Sequence, residues 1–143
     1  MAESQRKRLQ NLLSQMGGYR ELVGVLQRQI SNLIGARSEL SMTLDFLKNL
    51  QQLKPETEIL IPVGSGALIH GKVTSTEKVL VEIGSGVVVE KTVEEAVRVI
   101  EEKIKEVDET VKKLNEDIVK LQEKIEAIRP EAEKLIREME RES

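Results

Sequence analysis

The sequence has no cysteine and no tryptophan, and its 143 residues include one tyrosine and one phenylalanine. Without cysteine there is no disulfide framework and no thiolate metal site. So few rings leave an ordinary globular core short of filling, because aromatic side chains supply much of the buried area of a globule. Long apolar runs are missing as well: none approaches the ~20 residues that cross a bilayer. The opening "MAESQRKRLQNLL" lacks the apolar centre of a signal peptide. Neither sign of charge dominates. A formal net charge of −3 is too mild to imply nucleic acid or a membrane as partner. The expectation is a soluble cytoplasmic protein, no larger than one ordinary domain.

What is present is charge, at 33% of residues, and a regular array of Leu, Ile and Val. That combination reads as coiled coil. From Leu9 the apolar residues step by three and four: Leu9, Leu12, Met16, Tyr19, Val23, Leu26, Ile30, Leu33, Leu40, Leu44 and Leu47. Only Arg37 and Gln51 break the series. Arg37 has two readings. Its stem lies along the seam with the guanidinium in water, or it pins the register against an acid of the facing helix. Pro55 disfavours helix in the residue before it, so the first helix is expected to end near Lys54.

Thr92-Val-Glu-Glu95 has the form of a capping box, which places a second helix start at about Val93. Its seam runs without a break through Val97, Ile100, Ile104, Val107, Val111, Leu114, Ile118, Leu121, Ile125, Ile128, Ala132, Leu135 and Met139. β-Branched residues at one seam position and Leu at the other favour a two-stranded coil. The two heptad stretches are equal in length. Folding the chain at its centre sets Leu44 against Ile100, Ile30 against Leu114, Met16 against Ile128 and Leu9 against Leu135. The arm so formed is roughly 70 Å long. Residues 1–53 carry seven Lys/Arg against four Asp/Glu, a net +3; residues 93–143 carry eleven against sixteen, a net −5. Complementary flanks favour pairing between the two helices over self-pairing.

One level of this arm is weak. Gly17 and Gly18 each cost a helix about 0.8–1 kcal/mol relative to Ala. Pro130, near the same height in the fold-back, removes a backbone hydrogen bond. Beyond it lie Leu9, Leu12, Leu13, Met16, Ile128, Ala132, Leu135, Ile136 and Met139. Either this end splays and offers apolar side chains to a ligand, or it frays as chain ends do.

Residues 56–92 change character. "EILIPV", "ALIHGKV", "KVLVEI" and "VVVEK" are short and β-rich. Gly64-Ser65-Gly66 and Gly84-Ser85-Gly86 are read as hairpin loops. A phosphate-cradling reading fails, since a dinucleotide loop needs a third glycine where Ile69 and Val89 stand, and no Gly-Lys-Ser/Thr is present. The four strands are expected to form one thin sheet. It cannot cover both faces by itself, so this segment is expected to assemble with other chains. The assembling residues are Leu60, Ile61, Val63, Leu68, Ile69, Val73, Val79, Leu80, Val81, Ile83, Val87, Val88 and Val89. Phe46, Leu50, Leu53, Ala96 and Val99 form extra apolar stripes that would dock the coil under the sheet.

The expected fold is therefore α+β: a long antiparallel two-helix coiled coil joined by two β-hairpins that assemble into an oligomeric β-barrel body. Its parts are a helix over 1–55, hairpins over 56–92 and a helix over 93–143. The wording "ILIPVGSGALIHGKV" followed by "KVLVEIGSGVVVEKTVEEAV" resembles prefoldin, and two hairpins make it similar to the α-class subunit, in an archaeal form. The motif match spans Leu60 to Ala96; the helices match by heptad pattern. The resemblance implies a co-chaperone that works without ATP or any other cofactor. Two α-class and four β-class subunits would share a barrel body. Arm tips would hold unfolded client proteins and pass them to a group II chaperonin. The tip of this chain departs from an apolar surface, as "ESQRKR" and "REMERES" are strongly charged.

Other classes find less support. His70, the only histidine, is read as an exposed strand residue, and the acids of the second helix lack metal-ligand spacing, so no catalytic or metal site is expected. "RKR" (Arg6 to Arg8) gives only a small phosphate footprint. The rival is a structural coiled-coil spacer, or a filament-forming relative without client binding.

Overall fold

The computed structural model describes residues 2–142. The chain runs α1 (Ala2–Leu50), β1 (Glu58–Gly64), β2 (Ala67–Lys72), β3 (Lys78–Gly84), β4 (Val87–Thr92) and α2 (Val93–Glu142). These elements fall into two compact units. One holds α1 as far as Gly35 together with α2 from Asp108; the other runs from Ala36 to Val107.

In the first unit the heptad seams meet. Leu12, Met16, Ile125, Ala132 and Leu135 are buried together, and Leu9, Tyr19 and Ile128 pack against them. Burying each large side chain contributes about 1.5–3 kcal/mol. The helices are antiparallel: Gln5 Nε2 donates to Glu138 Oε2 at 3.3 Å, and Lys124 Nζ lies 5.6 Å from the Tyr19 ring centre. Arg8 pairs with Glu131 in the same sense. Neither helix breaks at the weak level. α1 is continuous through Gly17 and Gly18, and α2 through Pro130.

In the second unit α1 stops at Leu50, earlier than Pro55 alone dictates. The last turn tightens first: Gln52 N donates to Asn49 O at 3.0 Å and Leu53 N to Leu50 O at 3.1 Å. Thr57 then closes the corner, with its N and Oγ1 both donating to Lys54 O at 3.2 and 2.6 Å. Glu56 takes a φ of 71° at this corner.

Each hairpin turns on a Ser-Gly pair with both residues at positive φ: Ser65 at 51° and Gly66 at 77°, Ser85 at 51° and Gly86 at 78°. That is the type I′ geometry, whose twist matches that of the flanking strands. A bulge falls at the equivalent position in each, between Pro62 and Gly64 and between Glu82 and Gly84. The hairpins are copies: every paired residue of the second lies twenty positions after its counterpart, from Glu58↔Lys72 and Lys78↔Thr92 onward.

The single four-stranded sheet does not form. Among the described residues, β1 pairs only with β2 and β3 only with β4. The link between hairpins curls on itself, because Ser75 Oγ accepts from Glu77 N at 3.3 Å and Lys78 N at 3.2 Å. What joins the hairpins is the coil beneath them. Leu47, Leu50, Val93, Ala96 and Ile100 form a second buried cluster, on which Leu53, Val73, Val79 and Val81 rest. Thr92 closes β4 opposite Lys78 and caps α2, its Oγ1 accepting from Glu95 N at 3.1 Å.

Candidate functional site

Two regions answer to the residues singled out in the sequence. In the hairpins, strand geometry sends alternate side chains to opposite faces. One face of the second hairpin turns to the coil and carries Val79 and Val81, half-buried against the cluster below, as is Val73 just after the first hairpin. These three serve the chain's own core as much as any neighbour. Val89 is also half-buried. The remaining residues lie open. Leu60, Ile61, Val63, Leu68, Ile69, Leu80, Ile83, Val87 and Val88 are between 39% and 74% exposed. So many large apolar side chains on two small sheets exceed the scattered exposure normal for a surface. Each hairpin also has two bare edges, since its sheet has only two strands.

The second region is the end of the first unit where α1 begins and α2 finishes. Leu12, Met16, Ala132 and Leu135 are buried there, Leu9 and Ile128 pack on them, and Met139 is half-buried. Leu13 and Ile136 face solvent at 48% and 39% exposure. The open apolar surface of this end is thus small, and the rest of the sequence-chosen set is held inside the coil.

Phe46 departs from expectation. It does not dock under the hairpins but stands 52% exposed, with Met42 one turn earlier at 69%. Leu50 and Ala96 do fill the base, fully buried. The exposed Leu22, Ile34 and Val119 were missed by a reading confined to the seam. Their signal is weak, as single apolar residues off a seam are ordinary surface. His70 is exposed opposite Leu60, and among the described residues no group of three or more His, Cys, Asp or Glu side chains gathers as a metal site. No described helix is long and apolar enough to cross a membrane.

Two long helices that flank twin hairpins in the chain, with exposed apolar side chains on the hairpins, define a coiled-coil protein with two small β-hairpins. Residues 19–138 match the Prefoldin family, described as prefoldin subunit. Prefoldin subunit alpha of Methanopyrus kandleri is 43% identical over 63 residues, which are 44% of this chain and 40% of that protein. Prefoldin subunit alpha of Archaeoglobus fulgidus is 32% identical over 97 residues, 68% of this chain and 71% of that one. In a cryo-EM structure of filamentous PFD from Methanocaldococcus jannaschii, a 31% identical chain superposes with a TM-score of 0.75, covering 82% of this chain and 98% of that chain. The chain belongs to the prefoldin family, in its archaeal α-type form. It spans 40%, 60% and 63% of three of the curated relatives it matches.

Proposed function

We propose that this chain is a subunit of a cytoplasmic, ATP-independent co-chaperone. Its hairpins assemble with β-class subunits into a barrel body of two α and four β chains. The ends of its coil hold non-native proteins for transfer to a group II chaperonin. The observation that carries the reading is the apolar surface of the hairpins, which a lone chain leaves in water. A holder of varied clients needs adaptable apolar side chains without one fitted pocket, and Leu, Ile and Met at the coil end are of that kind. Weak contact at each coil end suffices once several coils share a body, because later contacts are intramolecular. The test is aggregation of a denatured protein in the presence of the assembled particle. Removing residues 1–16 and 129–143 should abolish protection. Protection that survives the trimming sinks the client-holding role of this end.

A second reading has one observation in its favour: the solved relative that this chain spans almost completely forms filaments. In that case the hairpins join copies end to end, and the coils act as spacers. Electron microscopy of the protein alone separates the two, as long polymers support the filament and closed particles the chaperone body.

A further inference from the structure

We propose that the first hairpin is a hinged flap, turning about Leu53 and Val73, while the second is clamped to the coil. The backbone bonds mark where the chain can turn. On the way out of α1, Gln52 and Leu53 still donate back into the helix, to Asn49 O and Leu50 O at 3.0 and 3.1 Å. From Lys54 onward the bonds belong to the hairpin. Thr57 N and Oγ1 donate to Lys54 O, Glu56 N donates to Val73 O at 2.7 Å, and Val73 N donates to Thr57 O at 3.0 Å. On the way back, Ser75 Oγ accepts from Glu77 N and Lys78 N, so the link past Thr74 belongs to the second hairpin. Among the described residues, no backbone hydrogen bond crosses from Leu53 to Lys54 or spans Thr74. Residues 54–73 thus hang on two covalent joints, and a hinge is made of a few such element-terminal residues that take up the change in φ and ψ.

Both joints are pinned. Leu53 and Val73 rest on the same buried cluster at the base of the coil. Two fixed points on one surface define an axis, and the strands beyond them are the part that turns. The second hairpin, by contrast, is held in three ways. β4 runs into α2 at Thr92 and Val93 without a linker. Val79 and Val81 pack on the cluster. Lys103 Nζ donates to Glu82 O at 3.4 Å, near the far end of β3. Twenty positions earlier the matching residues of the first hairpin lie open: Ile61 is 39% and Ile69 50% exposed, where Val81 and Val89 are half-buried. The copies have thus diverged in their hold on the coil. The clamped hairpin fixes the direction of the coil, and the hinged one adjusts its tilt to what it meets in the assembled body. The adjusting role rests on the reading of the hairpins as an assembly surface; the hinge itself does not.

The chain has no cysteine, so pairs of spin labels can be placed at introduced ones. Ala67→Cys and Val87→Cys are matching exposed sites beside the two turns, and each is paired with Arg98→Cys, exposed on α2. The full chain is read at a dilution where it sediments as a single copy. The distribution of distances from residue 67 to residue 98 should be about twofold broader than that from 87 to 98. Equal widths overturn the hinge. Lys103→Met removes the donor to Glu82 O; it should broaden the distribution from 87 and leave that from 67 as it was. No change from 87, or the same broadening of both, overturns the clamp. Adding a β-class subunit should narrow the distribution from 67 to about the width of that from 87. One that stays broad in the assembled particle overturns the adjusting role. A mixture that does not assemble sinks the assembly reading and the adjusting role with it, while the widths in the lone chain still decide the hinge.

Discussion

Gly71 makes room for Ile61: a Cβ built on Gly71 would stand 2.6 Å from Ile61 Cδ1. The second hairpin shows why this matters. There Gly71 is matched by Lys91 and Ile61 by Val81, whose side chain lacks the clashing carbon. Gly71→Ala is expected to push Ile61 aside and speed amide exchange in the first hairpin by up to about fivefold, a cost near 1 kcal/mol. Adding Ile61→Val should remove the penalty, since the pair then resembles its counterpart. Equal exchange in Gly71→Ala and the parent would refute the contact.

The glycines of α1 call for the opposite outcome. A Cβ on Gly17 or Gly18 meets nothing within 4 Å, and both residues are helical. Alanine there is expected to stabilise by about 0.8–1 kcal/mol each, read as a higher denaturant midpoint. If opening of this end also serves client holding, the double variant should protect less while being more stable. A midpoint that falls would mean the glycines are needed for packing.

Thr92→Ala removes the oxygen that accepts from Glu95 N. A loss of about 1 kcal/mol is expected, in the range usual for an N-cap. Thr92→Ser keeps the oxygen and should recover most of it. Thermal melts followed by circular dichroism decide between them.

Arg8→Ala serves as the contrast. Its pair with Glu131 spans the two helices, yet the side chains of both residues are largely exposed, at 62% and 43%. Such a pair contributes less than about 1 kcal/mol and fades with salt. The variant should unfold within about 1 kcal/mol of the parent in dilute buffer and match it in 1 M salt. A larger loss would show that this pair sets the register.

The parts legible in the sequence were those with a local period or a local cap. The seams of Leu9 to Leu47 and Val93 to Met139 repeat often enough that single exceptions do not hide them, and Thr92 with Glu95 marked the start of α2. The Ser-Gly turns were legible because few residues accept positive φ in succession. The end of α1 was misplaced by a few residues, because the tightening at Gln52 and Leu53 is decided by the corner that follows and not by Pro55. Whether four strands make one sheet or two depends on how "TSTEK" curls, and that bond set has no sequence period. Phe46 was drawn inward as part of an off-seam stripe with Leu50 and Leu53, yet it stands about half exposed while Leu50 is buried. The hairpins' apolar residues were legible as a set, but their division into inward Val79 and Val81 and outward Leu80 needed the coil beneath them to be in place.

Thr92 leaves no slack between sheet and helix. β4 ends at Thr92 and α2 begins at Val93, so no linker separates them and a shift of the strand is passed into the opening turn of the helix.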